Sequence, residues 1–282
     1  MNRAQSNFLS TSFAAKQVLL VAFALFAIGA PAQSVRTTQN PASAEVRPPS
    51  LSLSPAVVMT KGNFGQSITQ TLLLNNDTPM ELQFDMVAED VRIEDGKRVF
   101  VAAGELPGSI AATAVFSSKT VTAKPFSTAT VDVRFTMPAG SALRAVVALF
   151  RGTDKVPSGQ HGVAMTASLG TLITFTMSDK FEISPEPIRF GNQTDTSNVT
   201  ISQWLTNTGA EPVVTEGVVA ILNQSGVLVT KAPIAAQRLL PGEHLEFRAE
   251  APLPLEPGKY RVLASYKFEG QTLTQAGDLV LR

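Results

Sequence analysis

The stretch VAMTASLGTLITFTM, Val163–Met177, decides how the chain is read. Val163, Met165, Ala167, Leu169, Ile173, Phe175 and Met177 fall on one parity; Thr166, Ser168, Gly170, Thr174 and Thr176 fall on the other, with Leu172 the exception. An extended chain points successive side chains to opposite faces, so this period of two predicts a strand. Strands usually run about 5 to 6 residues, and this alternation lasts roughly three times as long, with only Gly170 offering a place to bend.

Toward the N-terminus, short alternating segments are divided by turn residues. LSLSPAVVM precedes Lys61-Gly62-Asn63, and SITQTLLL runs into Asn75-Asn76-Asp77-Thr78-Pro79. MELQFDMVAEDV and RVFVAA flank Asp95-Gly96, a step that marks a two-residue hairpin between strand-like runs. VFSSKTV, TATVDVRFTM ending at Pro138, and ALRAVVALF complete the unit. Almost nothing has helical period. Strands about ten residues apart with turn signals between them predict an all-β sandwich.

Toward the C-terminus the plan repeats. Ser54-Pro55 is echoed by Ser184-Pro185, Leu74-Asn75-Asn76-Asp77 by Leu205-Thr206-Asn207-Thr208-Gly209, and Lys124-Pro125 by Leu240-Pro241-Gly242. GVVAIL, VLVT, LEFRAEA, KYRVLASYKF and LTQAGDLVLR supply the strands of the second copy. Pro257-Gly258-Lys259-Tyr260 is an entry turn recurrent in immunoglobulin-like folds. The expected organisation is a signal peptide over 1–32, a disordered leader over 33–50, one immunoglobulin-like sandwich over 51–178 and a second over 179–282, joined at Ser178-Asp179-Lys180. Trp204, the only Trp, is expected in the second core beside Leu205.

The start of the chain carries Arg3 and Lys16, an apolar run from Val18 to Ile28, and Ala30-Pro31-Ala32. These are the parts of a secretory signal. The apolar run is about half of the roughly 20 residues a spanning helix needs; a retained anchor is the alternative, and no second such run follows. A periplasmic, secreted or cell-surface address is expected. With no Cys, neither disulfides nor thiol chemistry enter. Lys plus Arg equals Asp plus Glu at 23 each, which leaves no basic stripe for nucleic acid.

Catalysis finds little to build on. His161 and His244, the only histidines, are read as solvated loop residues in different domains, and no nucleophile elbow, phosphate loop or dinucleotide fingerprint is present. Asp85, Glu89, Asp90, Glu94 and Asp95 match no calcium loop. The reading is a non-enzyme with no cofactor and no metal. A sandwich does have edge strands, whose unpaired N–H and C=O groups accept a partner strand. Met165, Leu169, Ile173 and Phe175 either grip such a partner or fill the first core, and Arg144 and Arg151 flank the preceding strand as candidate contacts.

Ser54-Pro55, the strand ending at Asn75-Asn76-Asp77, the Asp95-Gly96 hairpin, Pro125 and the VDVRF strand ending at Pro138 together resemble the amino-terminal domain of periplasmic pilus-assembly chaperones of the PapD type. They are similar as well to the peptidoglycan-binding domain of WxL-interacting surface proteins, where a related sandwich is followed by a second. The first resemblance implies a chaperone-like or assembly-accessory protein that binds another protein by strand addition; the second implies a surface scaffold for cell-wall glycan or a host or matrix protein. A third alternative is an accessory domain of a carbohydrate-active enzyme. The chaperones hold a subunit's terminal carboxylate with an Arg in the first strand and a Lys near the last. Here the first-strand positions are Ser54, Pro55 and Ala56, and no basic residue lies between Val163 and Met177.

Overall fold

The computed structural model describes residues 49–153, 168–191, 198–252 and 256–281, which fall within one compact unit. The expected signal peptide, nearly all of the leader, His161 and Met165 lie outside the described residues.

Ten strands build the first half: β1 (Leu51–Ser54), β2 (Val57–Lys61), β3 (Ser67–Asn76), β4 (Leu82–Glu94), β5 (Lys97–Ala102), β6 (Val115–Phe116), β7 (Thr120–Ala123), β8 (Ser127–Thr136), β9 (Ala145–Gly152) and β10 (Ser168–Thr176). Eight follow: β11 (Ile183–Pro185), β12 (Arg189–Phe190), β13 (Asn198–Asn207), β14 (Val213–Leu222), β15 (Leu228–Leu239), β16 (His244–Pro252), β17 (Gly258–Phe268) and β18 (Gln271–Leu281). The first sandwich packs the sheet β1-β3-β8-β6 on the sheet β2-β10-β9-β4-β5, to which β7 adds beside β4. The second packs β11 and β12, β13 and β16 on β15-β14-β17-β18. The all-β class and the tandem immunoglobulin-like sandwiches expected from the spacing of strands and turns are what the chain adopts.

Alternation places the cores. Along β8, Val131, Val133 and Phe135 point inward while Thr130, Asp132 and Arg134 face solvent. Leu72, Leu74, Phe84, Phe150, Ile173 and Phe175 join them, with Phe84 and Phe150 meeting edge to face at 6.1 Å. The second core gathers Ile201, Leu205, Val219, Phe247, Tyr266 and Leu279, with Phe247 and Tyr266 at 5.7 Å in the same geometry. Asp95 and Gly96 take φ of 48° and 75°, the paired positive values that a two-residue turn between twisted strands demands.

Burial pushes the Tyr266 phenol well above its ordinary value of 10. A raised acid pKa in the folded state contributes stability in full below the unfolded value and loses it as pH rises past that value. The melting temperature should therefore fall above about pH 10, and Tyr266→Phe should remove that part of the slope; an unchanged slope in the variant would exclude Tyr266 as its source.

The sequence repeat has a physical basis in two buried amides. Asn76 Nδ2 donates to the carbonyls of Met80, Ala123 and Lys124 while its Oδ1 accepts from the Thr78 N–H and hydroxyl. Asn207 Nδ2 donates to the carbonyls of Glu211 and Leu239, and its Oδ1 accepts from the Gly209 N–H. Each amide ties the turn after its own strand to the chain just before the paired Pro125 or Pro241.

Candidate functional site at the edge of the first sandwich

β10 is the strand announced by the long alternation, and its two halves differ. It pairs antiparallel with β9 over Ser168–Thr174, and parallel with β2 over Leu172–Thr176 only. Among the described residues, Ser168–Thr171 thus has a strand on one side, and on the other flank the buried Thr171 donates its hydroxyl to the Pro55 carbonyl. β2 itself ends the sheet, with Val57 and Met59 about half exposed. The edge expected along β10 as a whole is therefore shared between its first residues and β2.

Ile173 and Phe175 lie in the first core, at 0% and 2% exposure, so the alternative in which they fill that core is the one the structure adopts. Leu169 packs half-buried at its margin. Neither arginine singled out in sequence is free. Arg144 Nε sits 3.1 Å from Glu211 Oε2, and its Nη1 donates to the carbonyls of Ser141 and Leu143. Arg151 pairs with Glu89 on the neighbouring strand.

The outer face of the β2-β10-β9-β4-β5 sheet turns toward the second sandwich. Val91, Ala145 and Val147 pack there on Leu240, with Ile93, Leu149 and Leu172 around them. Glu211 closes this joint, because its carboxylate accepts from Arg144, from the Met177 N–H at 3.0 Å and from the Ser178 hydroxyl at 2.8 Å. Beside the joint opens a cleft of about 680 Å³, lined from the first sandwich by Val57, Lys97, Arg98 and Leu172 and from the second by Arg238, Glu243 and His244.

The charge in this cleft is unbalanced. Arg98 Nη2 donates to Glu243 Oε2 at 3.0 Å and to the Arg238 carbonyl at 2.8 Å. Its Nε lies 2.7 Å from Glu243 Oε1, close enough for an ion pair but out of line for a hydrogen bond. Glu243 also accepts the Leu240 N–H. Arg238 Nε and Nη1 are buried with no hydrogen-bond partner among the described residues. Burial first, then the Arg98 charge, pulls the Arg238 pKa down. Three cations therefore face one carboxylate that is already engaged. The sequence reading missed Arg98 and Arg238 because they stand 140 residues apart and each looks like an ordinary strand cation.

Two expectations are corrected at the rim. Trp204 is half-buried and faces outward, because in β13 the inward parity belongs to Val199, Ile201, Gln203, Leu205 and Asn207. Its ring stacks on His244 at 4.6 Å and 12°. His244 is no solvated loop residue: it opens β16, its Nδ1 meets the Thr206 hydroxyl at 2.8 Å, and its backbone N–H donates to the Gly96 carbonyl across the joint. The acidic run disperses as well. Asp90 is buried and accepts the N–H groups of Ile110 and Ala111, while Glu94 pairs with Arg92. Among the described residues no three His, Asp or Glu side chains converge as metal ligands, and no helix is long and apolar enough to cross a membrane.

No family model and no curated protein matches the chain. Among solved structures it is similar to the class 5 fimbriae chaperone CfaA, at 12% identity and a TM-score of 0.44 over 80% of this chain and 98% of that one. It is similar to the E. coli chaperone DraB, at 13% and 0.40 over 82% and 98%, and to the Pseudomonas aeruginosa CupB2 chaperone, at 11% and 0.37 over 82% and 100%. These likenesses concern the fold alone.

Proposed function

We propose that the protein is an exported, non-enzymatic binding protein, chaperone-like or assembly-accessory, that takes a strand of another protein at the β2–β10 edge, with 51–178 and 179–282 as its two modules. One observation supports this reading: among the described residues β10 is paired on one side only over Ser168–Thr171, next to a terminal β2 whose Val57 and Met59 are exposed. An unpaired edge supplies main-chain hydrogen bonds to an extended segment, and alternate side chains add selectivity. The cleft beside it supports the same reading, since Lys97 and Arg238, beyond the Arg98–Glu243 pair, offer an anionic group of the partner what Ser54, Pro55 and Ala56 do not.

A photo-crosslinking residue placed at Met59 or at Ser168 should form adducts with a periplasmic protein, while the same residue at the exposed Val280 of the second sandwich should not. Adducts from Val280 alone would sink the reading. The cleft makes a second, sharper expectation. Arg238 is half-buried, its Nε and Nη1 have no hydrogen-bond partner among the described residues, and Arg98 repels it, so Arg238→Met should leave the isolated protein as stable or more stable, yet lower adduct yield from Met59 at least about tenfold. Unchanged yield together with a lowered melting temperature would show that Arg238 serves the fold instead.

A further inference from the structure

On the outer face of the first sandwich, adjoining the cleft, lies a slot of about 290 Å³. Val147 and Leu149 of β9 floor it, Phe100 of β5 walls one side, and Leu172 and Gly170 of β10 form the other. Phe100 is 54% exposed, an unusual position for a ring with an apolar recess at its side. The rim carries Glu89 and Arg98, but Arg151 engages the first and Glu243 the second. The slot is thus apolar within and electrically balanced at its edge, unlike the cationic cleft with which it shares Arg98 and Leu172.

Gly170 places the slot in relation to the edge. It pairs with Leu149 and lies in the part of β10 that, among the described residues, has a strand on one side only. A β-carbon built at this position would stand 2.7 Å from both Leu149 Cδ2 and Val147 Cγ1, so any side chain here would drive these two residues into the recess. A residue of an added strand directly opposite Gly170 shares its face of the sheet. With no side chain on Gly170, that residue leans over β10 toward Leu149 and Val147 of β9, at the mouth of the slot.

We infer that the slot receives an uncharged apolar side chain, best an aromatic one, from the strand that adds beside Ser168–Thr171. This rests on the strand-addition reading and adds the chemistry of one partner residue to it. The contact runs in one direction: the partner contributes the side chain and this protein contributes the recess.

The test uses fluorescein-labelled ten-residue peptides of alternating Thr and Val, with one central position set to Phe, Leu, Ser or Asp, and reads affinity by fluorescence anisotropy. Partial burial of one ring predicts that the Phe peptide binds about tenfold tighter than the Ser peptide, with Leu between them and Asp weakest. Phe100→Ser, at an exposed position that leaves the core intact, should shrink the Phe preference to about twofold or less while the Ser peptide binds as before. Gly170→Ala should do the same by pushing Val147 and Leu149 inward. Equal affinity of the Phe and Ser peptides for the unaltered protein would overturn the slot and leave strand addition standing. Failure of every peptide to bind would overturn both. Concentration-dependent dimerisation that Phe100→Ser abolishes would show a second copy covering the slot, and would overturn the proposal too.

Discussion

Asn207→Ala should lower the stability of the second sandwich by about 3 kcal/mol or more, and Asn76→Ala should do at least as much to the first. Both amides are fully buried. Removing Asn76 takes the partner from three carbonyls and two donors, of which the bond to the Ala123 carbonyl is fully buried, and removing Asn207 takes it from two buried carbonyls and one partly buried donor. Each orphaned buried group costs about 1–3 kcal/mol. Aspartate is no rescue, because it keeps the accepting oxygen and loses the donating nitrogen. Trp204 lies in the second sandwich, so urea unfolding followed by its fluorescence measures the Asn207 variants directly, while Asn76 variants need circular dichroism. A midpoint within a few tenths molar of the unaltered protein for either alanine variant would refute the role assigned to these amides.

Glu211→Ala should be the other damaging change, at about 3–5 kcal/mol. It removes the acceptor for Arg144 Nε, the Met177 N–H and the Ser178 hydroxyl, and leaves a guanidinium that is 14% exposed without its counter-ion. Glu211→Gln, which keeps one accepting oxygen, should cost less. The double change Arg144→Met with Glu211→Met should recover much of the loss, since an apolar pair of similar volume does not bury an unpaired charge. The check is a double-mutant cycle by thermal melting, with limited proteolysis across Ser178-Asp179-Lys180. If the double variant were as unstable as the two single changes added together, the ion pair would not be the cause.

Much of the fold was open to inspection in the chain itself, because period two and turn chemistry act over a few residues. Asp95-Gly96 demands positive φ and marks its hairpin unaided, and the Asn76 and Asn207 repeat marks equivalent corners. Parity had more to say than was taken from it: Ile201 and Leu205 are in phase with each other, and Trp204 is out of phase with both, which already placed it outside the core. Other features had no local signature. Alternation in β10 shows which residues share a face, yet it does not show which flank of the strand carries a neighbour, so the cover that β2 lays over Leu172–Thr176 could not be read. The cleft is a product of tertiary packing alone. Arg98 and Arg238 acquire a common environment only when the hairpin at Gly96 meets the start of β16, and nothing within ten residues of either announces that meeting.

The segment Leu51–Lys61 runs first beside β3 in one sheet and then, after Pro55, beside β10 in the other. It works like a seam stitched through two layers of cloth. Neither layer can be peeled back from this margin without pulling the thread that holds its opposite number, so the two sheets should come apart together in one all-or-none event. A chain shortened to begin at Gly62 would lose that lacing and lay bare the flanks of β3 and β10, two selvedges with no thread between them.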